Sequence, residues 1–187
     1  MVTIGLCEVT ISTPNGNQKA LLAPAIKQDM PTDWSFAWED LWQISDFEYQ
    51  DIIKLSYLDQ AWGLIRYSIF PYEDRQIVEI EHLEVNPIST YDKYPRMVEP
   101  IGKWLIWYVA KLALELCPCA ETDTLIILAS NTEAVDYYRD VIKMEYLGNA
   151  PSAPGEDGYA FRFTREKATE FCNTQERECG SVWRFES

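Results

Sequence analysis

The side chains best suited to moving a proton gather in one short stretch. Glu79, Glu81 and His82 all lie within Ile77-Val78-Glu79-Ile80-Glu81-His82-Leu83-Glu84-Val85. A carboxylate partly withdrawn from water, or a neutral imidazole, can serve as a general base near neutral pH. His82 is the one histidine of the chain and has the better intrinsic pKa; the plain alternative is a satisfied structural side chain. Glu79 and Glu81 compete for the same role against the ordinary reading of outward-facing strand residues. The spacings of a Ser/His/Asp triad are missing, so the sequence does not support nucleophilic catalysis by an activated serine.

The element that must hold these groups is a strand whose pattern slips. Val78 and Ile80 alternate toward one face, whereas Leu83 and Val85 fall on the opposite phase. A one-residue bulge near Glu81 or His82 restores a single apolar face; it also bends the strand and leaves a backbone N–H unpaired. After Asn86-Pro87 and a polar loop, Val98, Ile101, Leu105, Tyr108, Val109, Leu112 and Leu116 recur at three- and four-residue steps. They predict a helix from Met97 to Leu116 that exposes Glu99, Lys103, Lys111 and Glu115. Trp104 and Trp107 widen its apolar arc, so something besides a sheet covers it. Thr124-Leu125-Ile126-Ile127-Leu128-Ala129 reads as a strand buried on both faces. Strand, crossover helix and strand predict a parallel pair with a right-handed crossover. Ser130-Asn131-Thr132 offers capping oxygens to a helix from Glu133 to Lys143, with Ala134, Tyr138, Val141 and Ile142 inward.

In this order the residues resemble the GNAT superfamily of acyl-CoA-dependent N-acyltransferases. Val78 to Pro87 is similar to that family's bulged strand, which ends in a Leu-x-Val-x-Pro-like run. Ile101-Gly102-Lys103-Trp104-Leu105 is similar to the end of its pyrophosphate loop and the following helix. Asn131-Thr132-Glu133-Ala134-Val135-Asp136-Tyr137-Tyr138, followed by Met144 to Gly148, resembles its Asn-x-x-Ala-x-x-Phe-Tyr helix and next strand. The likeness spans Asp51 to Phe163 and rests on order and spacing more than identity. The family's loop reads Arg/Gln-x-x-Gly-x-Gly/Ala, and Met97, Pro100 and Gly102 stand at its marked positions, so only the last glycine survives. Pro100 has no N–H to offer a phosphate, although proline suits a first helical turn. Arg96, Lys93 and Lys103 supply compensating charge, with Asp92 and Glu99 among them; a solvated loop is the plain alternative.

The resemblance implies an α/β (α+β) fold: a mixed, mostly antiparallel sheet with a central parallel strand pair, helices on both faces and an N-terminal hairpin. The chain, 1–187, then reads as one domain, with 1–30 a hairpin extension, 31–163 the acyltransferase core and 164–187 a C-terminal extension. The implied activity is transfer of an acyl group, expected to be acetyl, from acetyl-CoA or another acyl-CoA to a primary amine by direct attack in a ternary complex. Glu79 matches the base position, acting directly or through water, and Tyr138 the tyrosine that protonates the departing thiolate. Backbone N–H groups near Leu83 would polarise the thioester carbonyl, and Leu83, Glu84 and Val85 would pair with the pantetheine arm. Arg96, Met97, Val98, Ile101, Gly102 and Lys103 match the pyrophosphate loop, and Asn131 and Ala134 the further cofactor contacts. The loop's departures leave a second reading open, a GNAT-shaped binding or assembly module with weak or no CoA binding. Tyr138-Arg139-Asp140-Val141 is also similar to a run in glyoxalase-like metal enzymes, but one histidine and no second module argue against a metal site.

Composition narrows the partners. Lys and Arg number 16 against 30 Asp and Glu, a formal charge of −14, which repels nucleic acid and anionic membranes and attracts cationic amines, whether small molecules or peptides. The same field repels coenzyme A. A homodimer is compatible with all of this. No apolar run reaches membrane-spanning length, Lys111 ending the nearest approach, and no signal peptide is evident. Cys7, Cys117, Cys119, Cys172 and Cys179 are odd in number and outside recognised zinc spacings, which suggests reduced thiols and a cytoplasmic location. Cys117-Pro118-Cys119 reads as a helix exit rather than a redox pair.

Elsewhere, Val2 to Ser12 and Ala20 to Pro24 flank the turn Pro14-Asn15-Gly16-Asn17, predicting a hairpin. Pro31-Thr32-Asp33 opens a short helix carrying Trp34, Trp38, Leu41 and Trp42, either core or the lining of an acceptor pocket. Asp51 to Tyr57 and Trp62 to Phe70 form a second hairpin, leading by Pro71-Tyr72-Glu73-Asp74 into the central strand. Glu145 to Gly148 and Gly158 to Phe163 form a third. The tail opens with a short capped helix, and the apolar residues of Val182-Trp183-Arg184-Phe185 are expected to dock on the body or on a partner.

Overall fold

The computed structural model describes residues 4–72, 75–90, 96–116, 124–150 and 158–185. The first hairpin forms around Pro14-Asn15, with strands β1 (Leu6–Thr13) and β2 (Gly16–Pro24). Helix α1 (Trp38–Ile44) follows, then β3 (Gln50–Tyr57), β4 (Gln60–Tyr72) and β5 (Arg75–Val85), three antiparallel neighbours. Helix α2 (Ile101–Leu116) crosses to β6 (Thr124–Ser130), which pairs parallel with β5. Strands β7 (Glu145–Asn149) and β8 (Tyr159–Thr164), helix α3 (Arg165–Cys179) and the short β9 (Trp183–Phe185) complete it. Among the described residues all nine strands join one sheet in the order β7-β8-β6-β5-β4-β3-β2-β1-β9, with β5/β6 the parallel pair. This is the mixed, mostly antiparallel sheet expected.

The larger core lies on one face of the sheet, where α2 buries Trp104, Leu105, Trp107, Tyr108, Val109 and Leu112 against Val9, Leu55, Tyr67, Val78, Ile80 and Phe163. Burying aliphatic and aromatic side chains of this size stabilises by roughly 1.5–3 kcal/mol each. The wide arc of α2 is covered on its outer side, as its tryptophans required. Trp104 Nε1 donates to the Thr10 carbonyl at 2.8 Å, and Trp107 Nε1 donates to Glu176 of α3 at 3.0 Å. Lys111 joins Glu176 at 2.7 Å. On the opposite face Trp38 of α1, fully buried, packs with Ala25, Met30, Ile52 and Leu64, while Trp34 and Trp42 are partly buried beside them. The tryptophan cluster is thus a second core.

Several boundaries differ from the sequence pattern for physical reasons. Helix α2 starts at Ile101, not Met97, because the backbone before it bonds elsewhere: Val98 N–H donates to Ser89 Oγ, and Glu99 exchanges two backbone bonds with Ser12. Helix α1 starts at Trp38 rather than near Pro31, since the amides of Ser35 and Phe36 donate to the Glu84 carboxylate. The expected helix from Glu133 to Lys143 is a 3-10 turn (Thr132–Ala134) followed by a π-helical turn (Tyr137–Ile142), ended by Lys143 at φ 64°. Pro71 and Tyr72, expected in a turn, extend β4 and pair with Gln76 and Arg75. The C-terminal helix is 15 residues long rather than short, with Thr164 Oγ1 accepting from Lys167 N–H. The tail meets the body through Val182, which packs on the core, and through the pairing of β9 with β1, while Trp183 is 67% exposed. Lys93, Asp92, Cys117 and Cys119 lie outside the described residues.

Candidate functional site

Two features of β5 build the site. The first is the bulge: Ile80 pairs with Tyr67 and His82 with Arg66, so Glu81 is the extra residue. That slip puts Leu83 and Val85 on the same face as Val78 and Ile80, packed against the α2 core. The second is a fork. Strands β5 and β6 pair only at Val78/Ile126, Glu79/Ile127 and Ile80/Leu128. Beyond Ile80 the two strands part, and the main chain of Leu83 to Val85 has no partner on that side among the described strands. Along β6, Leu125, Ile126, Leu128 and Ser130 are buried, Ile127 is half-buried and Ala129 is exposed.

The parted strands open a cleft of about 690 Å³. Leu83, Glu84 and Val85 form one wall, and Ala134, Tyr137, Tyr138 and Val141 form the other. Arg96, Val98, Ile101, Gly102 and Lys103 close it at the start of α2. The volume falls in the range of small-molecule sites. Gly63 of β4 lets the helix sit this close, since a Cβ there would meet Ile101 Cγ2 at 2.4 Å and Leu105 Cδ1 at 2.8 Å.

On the α1 face the acidic and imidazole groups separate by their partners. Glu81 is held in place, ion-paired to Arg66, accepting from Ser68 Oγ and accepting from Gln50 Nε2 at 2.8 Å. Glu84, 9% exposed, accepts from Ser35 N–H at 2.6 Å, Phe36 N–H at 3.1 Å and Trp38 Nε1 at 2.8 Å. His82 stands edge-on to Phe36 with ring centres 5.0 Å apart, and its buried Nδ1 has no hydrogen-bond partner. Burial, with the Arg66 guanidinium beside it, lowers its pKa and favours the neutral ring. Glu79 is half-buried between Ser68 and Ile127, and burial, reinforced by the charge of Glu81, raises its pKa. Glu81 thus serves as an anchor for Arg66, Ser68 and Gln50 and Glu84 for the segment before α1, while burial raises the proton affinity of Glu79.

Tyr138 is buried between Tyr137 and Phe161, at 5.4 and 5.7 Å between ring centres, and lines the cleft. Burial drives its phenol pKa far up, so the hydroxyl keeps its proton. Asn131 does not line the cleft; its Oδ1 accepts from Ala134 N–H at 3.0 Å and caps the turn. Met97 is exposed and also outside the lining, as is Glu79. The residues missed from sequence include Ser35, Ser89, Glu99, Tyr137 and Asp140. Tyr137, Glu99 and Asp140 sit beside residues already singled out, Tyr138, Arg96 and Lys103, whereas Ser35 and Ser89 join the site from other segments.

No family model matches the sequence, and no curated protein sequence matches it. Solved structures match in shape. Naa50 of Arabidopsis thaliana, in complex with the bisubstrate analogue CoA-Ac-MVNAL, is 16% identical, with a TM-score of 0.55, covering 78% of this chain and 98% of that one. RimJ of Mycobacterium smegmatis, in complex with CoA-disulfide, is 11% identical with a TM-score of 0.55, covering 91% and 95%. A GNAT-family acetyltransferase of Bacillus cereus is 13% identical with a TM-score of 0.53, covering 78% and 97%. With the bulged β5, the parted parallel pair and the cleft between them, these likenesses identify the chain as a protein of the GNAT acetyltransferase fold.

Proposed function

We propose that this protein transfers an acyl group, acetyl in the simplest case, from an acyl-CoA thioester to a primary amine by direct attack in a ternary complex. The fork carries the reading: a sheet opened beyond Ile80 and Leu128 presents unpaired main-chain groups at Leu83 to Val85 along a cleft deep enough for a thioester arm. Backbone N–H groups at the bulge would polarise the thioester carbonyl, where charge develops as the amine attacks. Glu79 lies two residues before the extra residue Glu81, about 7 Å along a strand, so it takes the amine's proton through water rather than by contact. Tyr138, whose burial favours the protonated hydroxyl, supplies the proton for the departing thiolate. The acceptor comes from the α1 face, where Phe36 and His82 stand beside the bulge, and the formal charge of −14 favours a cationic amine.

The test is thermal unfolding with acetyl-CoA, because a ligand that binds only the native state raises Tm by mass action. A concentration-dependent rise, followed by acetylation of a cationic amine, is expected. No shift at millimolar acetyl-CoA would overturn the reading.

A further inference from the structure

The start of α2 is poorly furnished for a diphosphate. A loop that grips phosphates does so with successive free backbone N–H groups and with glycines that admit close approach. Here Val98 N–H donates to Ser89 Oγ at 2.9 Å, Glu99 N–H donates to the Ser12 carbonyl at 3.0 Å, and Pro100 has no N–H. Only the amides that open the helix, from Ile101 onward, lack intrahelical acceptors. Gly102 does not offer its bare face to a ligand, because Tyr137 Oη fills that space; a Cβ there would lie 2.5 Å from the hydroxyl.

Among the described residues, charges of both signs meet at the cleft, so no wholly basic patch makes up the difference. The cleft brings Glu99, Glu133, Asp136 and Asp140 together with Arg96 and Lys103. Arg96 is ion-paired to Glu99 at 3.3 Å. Arg139 balances Asp136 and Asp140, at 2.5 and 2.8 Å. Glu84, the remaining carboxylate of the lining, faces its three donors on the α1 side. The wall available to the uncharged arm, Leu83, Val85, Val98, Ile101, Ala134 and Val141, is intact.

We propose that the cleft selects its acyl donor by the pantetheine arm and not by the phosphorylated nucleotide, so that acyl-pantetheine thioesters are bound and used about as well as acyl-CoA. This rests on the thioester-cleft reading above and adds the donor class to it. Calorimetric titration of the whole protein with CoA and with pantetheine, at two salt concentrations, reads the proposal without catalysis. Dissociation constants within about tenfold of each other are expected, with weak salt dependence. A preference for CoA of about 100-fold or more, collapsing with salt, would overturn the inference while leaving the acyltransferase reading intact; binding of neither would overturn both. Glu99→Lys supplies the charge the loop lacks, so it should tighten CoA about tenfold and leave pantetheine within about twofold. A variant that tightens neither, or both alike, also overturns the inference.

Discussion

Replacing Glu84 by Gln removes one charge and changes almost no volume, yet it should loosen an entire segment. One carboxylate oxygen accepts from Ser35 N–H at 2.6 Å, and the other accepts from Phe36 N–H at 3.1 Å and Trp38 Nε1 at 2.8 Å. A carboxamide keeps a single acceptor oxygen. Its least costly orientation preserves the pair at Phe36 and Trp38 and turns an NH2 toward the Ser35 amide, setting donor against donor. A hydrogen bond to a charged group is worth roughly 1.5–3 kcal/mol, and the two surviving bonds weaken as well, so a loss of about 2–4 kcal/mol is expected. For a chain of this length that lowers Tm by roughly 4–16 °C. The general charge effect has the opposite sign, since removing a negative charge from a chain of −14 relieves repulsion. Hydrogen exchange at Ser35 to Trp38, read beside the melt, locates the change. If Glu84→Gln melts like the parent and exchange there is unaltered, the segment is held by something other than this carboxylate.

Three further outcomes follow from the site and core. Glu79→Gln should lower turnover about 10²–10⁴-fold at neutral pH. The native pKa of Glu79 is raised, so the parent rate climbs as pH rises through that value and its stability falls over the same window; the variant should show neither limb, and a parent-like pH–rate profile refutes the assignment. Tyr138→Phe keeps the ring against Phe161 and loses the acid, so turnover should fall while the donor dissociation constant, measured by calorimetry, stays within about twofold; equal loss of both places the hydroxyl in binding instead. Asp51, 4% exposed, has one oxygen accepting from Ile52 N–H and the other without a partner, and burial pushes its pKa up to about 6. The native state therefore binds the proton more tightly than the unfolded chain, and stability drops as pH rises between the ordinary Asp value and about 6. Asp51→Asn should gain roughly 2–3 kcal/mol at pH 8 and little at pH 4 in denaturant melts; the same gain at both values contradicts this.

The bulge was legible because a strand's period of two makes a one-residue slip visible in the identities of Val78, Ile80, Leu83 and Val85 alone. The parallel pair was legible from the unbroken apolar run at 124–129, but not that its pairing with β5 ends at Leu128, since an apolar residue reads alike under cover and beside a cleft. The start of α2 was misplaced because the periodic Val98 is buried without being helical, its backbone claimed by Ser89 and its neighbour's by Ser12. Glu84 entered the sequence reading only through its main chain beside Leu83 and Val85, because the donors to its carboxylate lie 46 to 49 residues away. Local pattern reveals which face a residue takes; it carries no information about a partner brought in by the tertiary fold.

The stitching of β1 to α2 sets an order of events. Thr10 accepts from Trp104, Gly5 accepts from Tyr108 across 103 positions, and Ser12 grips Glu99, so the rear wall of the cleft is assembled from segments that meet only after most of the polypeptide exists. Closing so long a loop precedes any reward from the contacts it makes, which places such pairings among the slow steps of folding. Ligand-binding competence should accordingly emerge late in refolding, after α2 and the β3–β5 meander have formed, and a polypeptide shortened past Ser12 should lose the wall that Cys7, Val9 and Ile11 give α2 together with the seat beside Pro100.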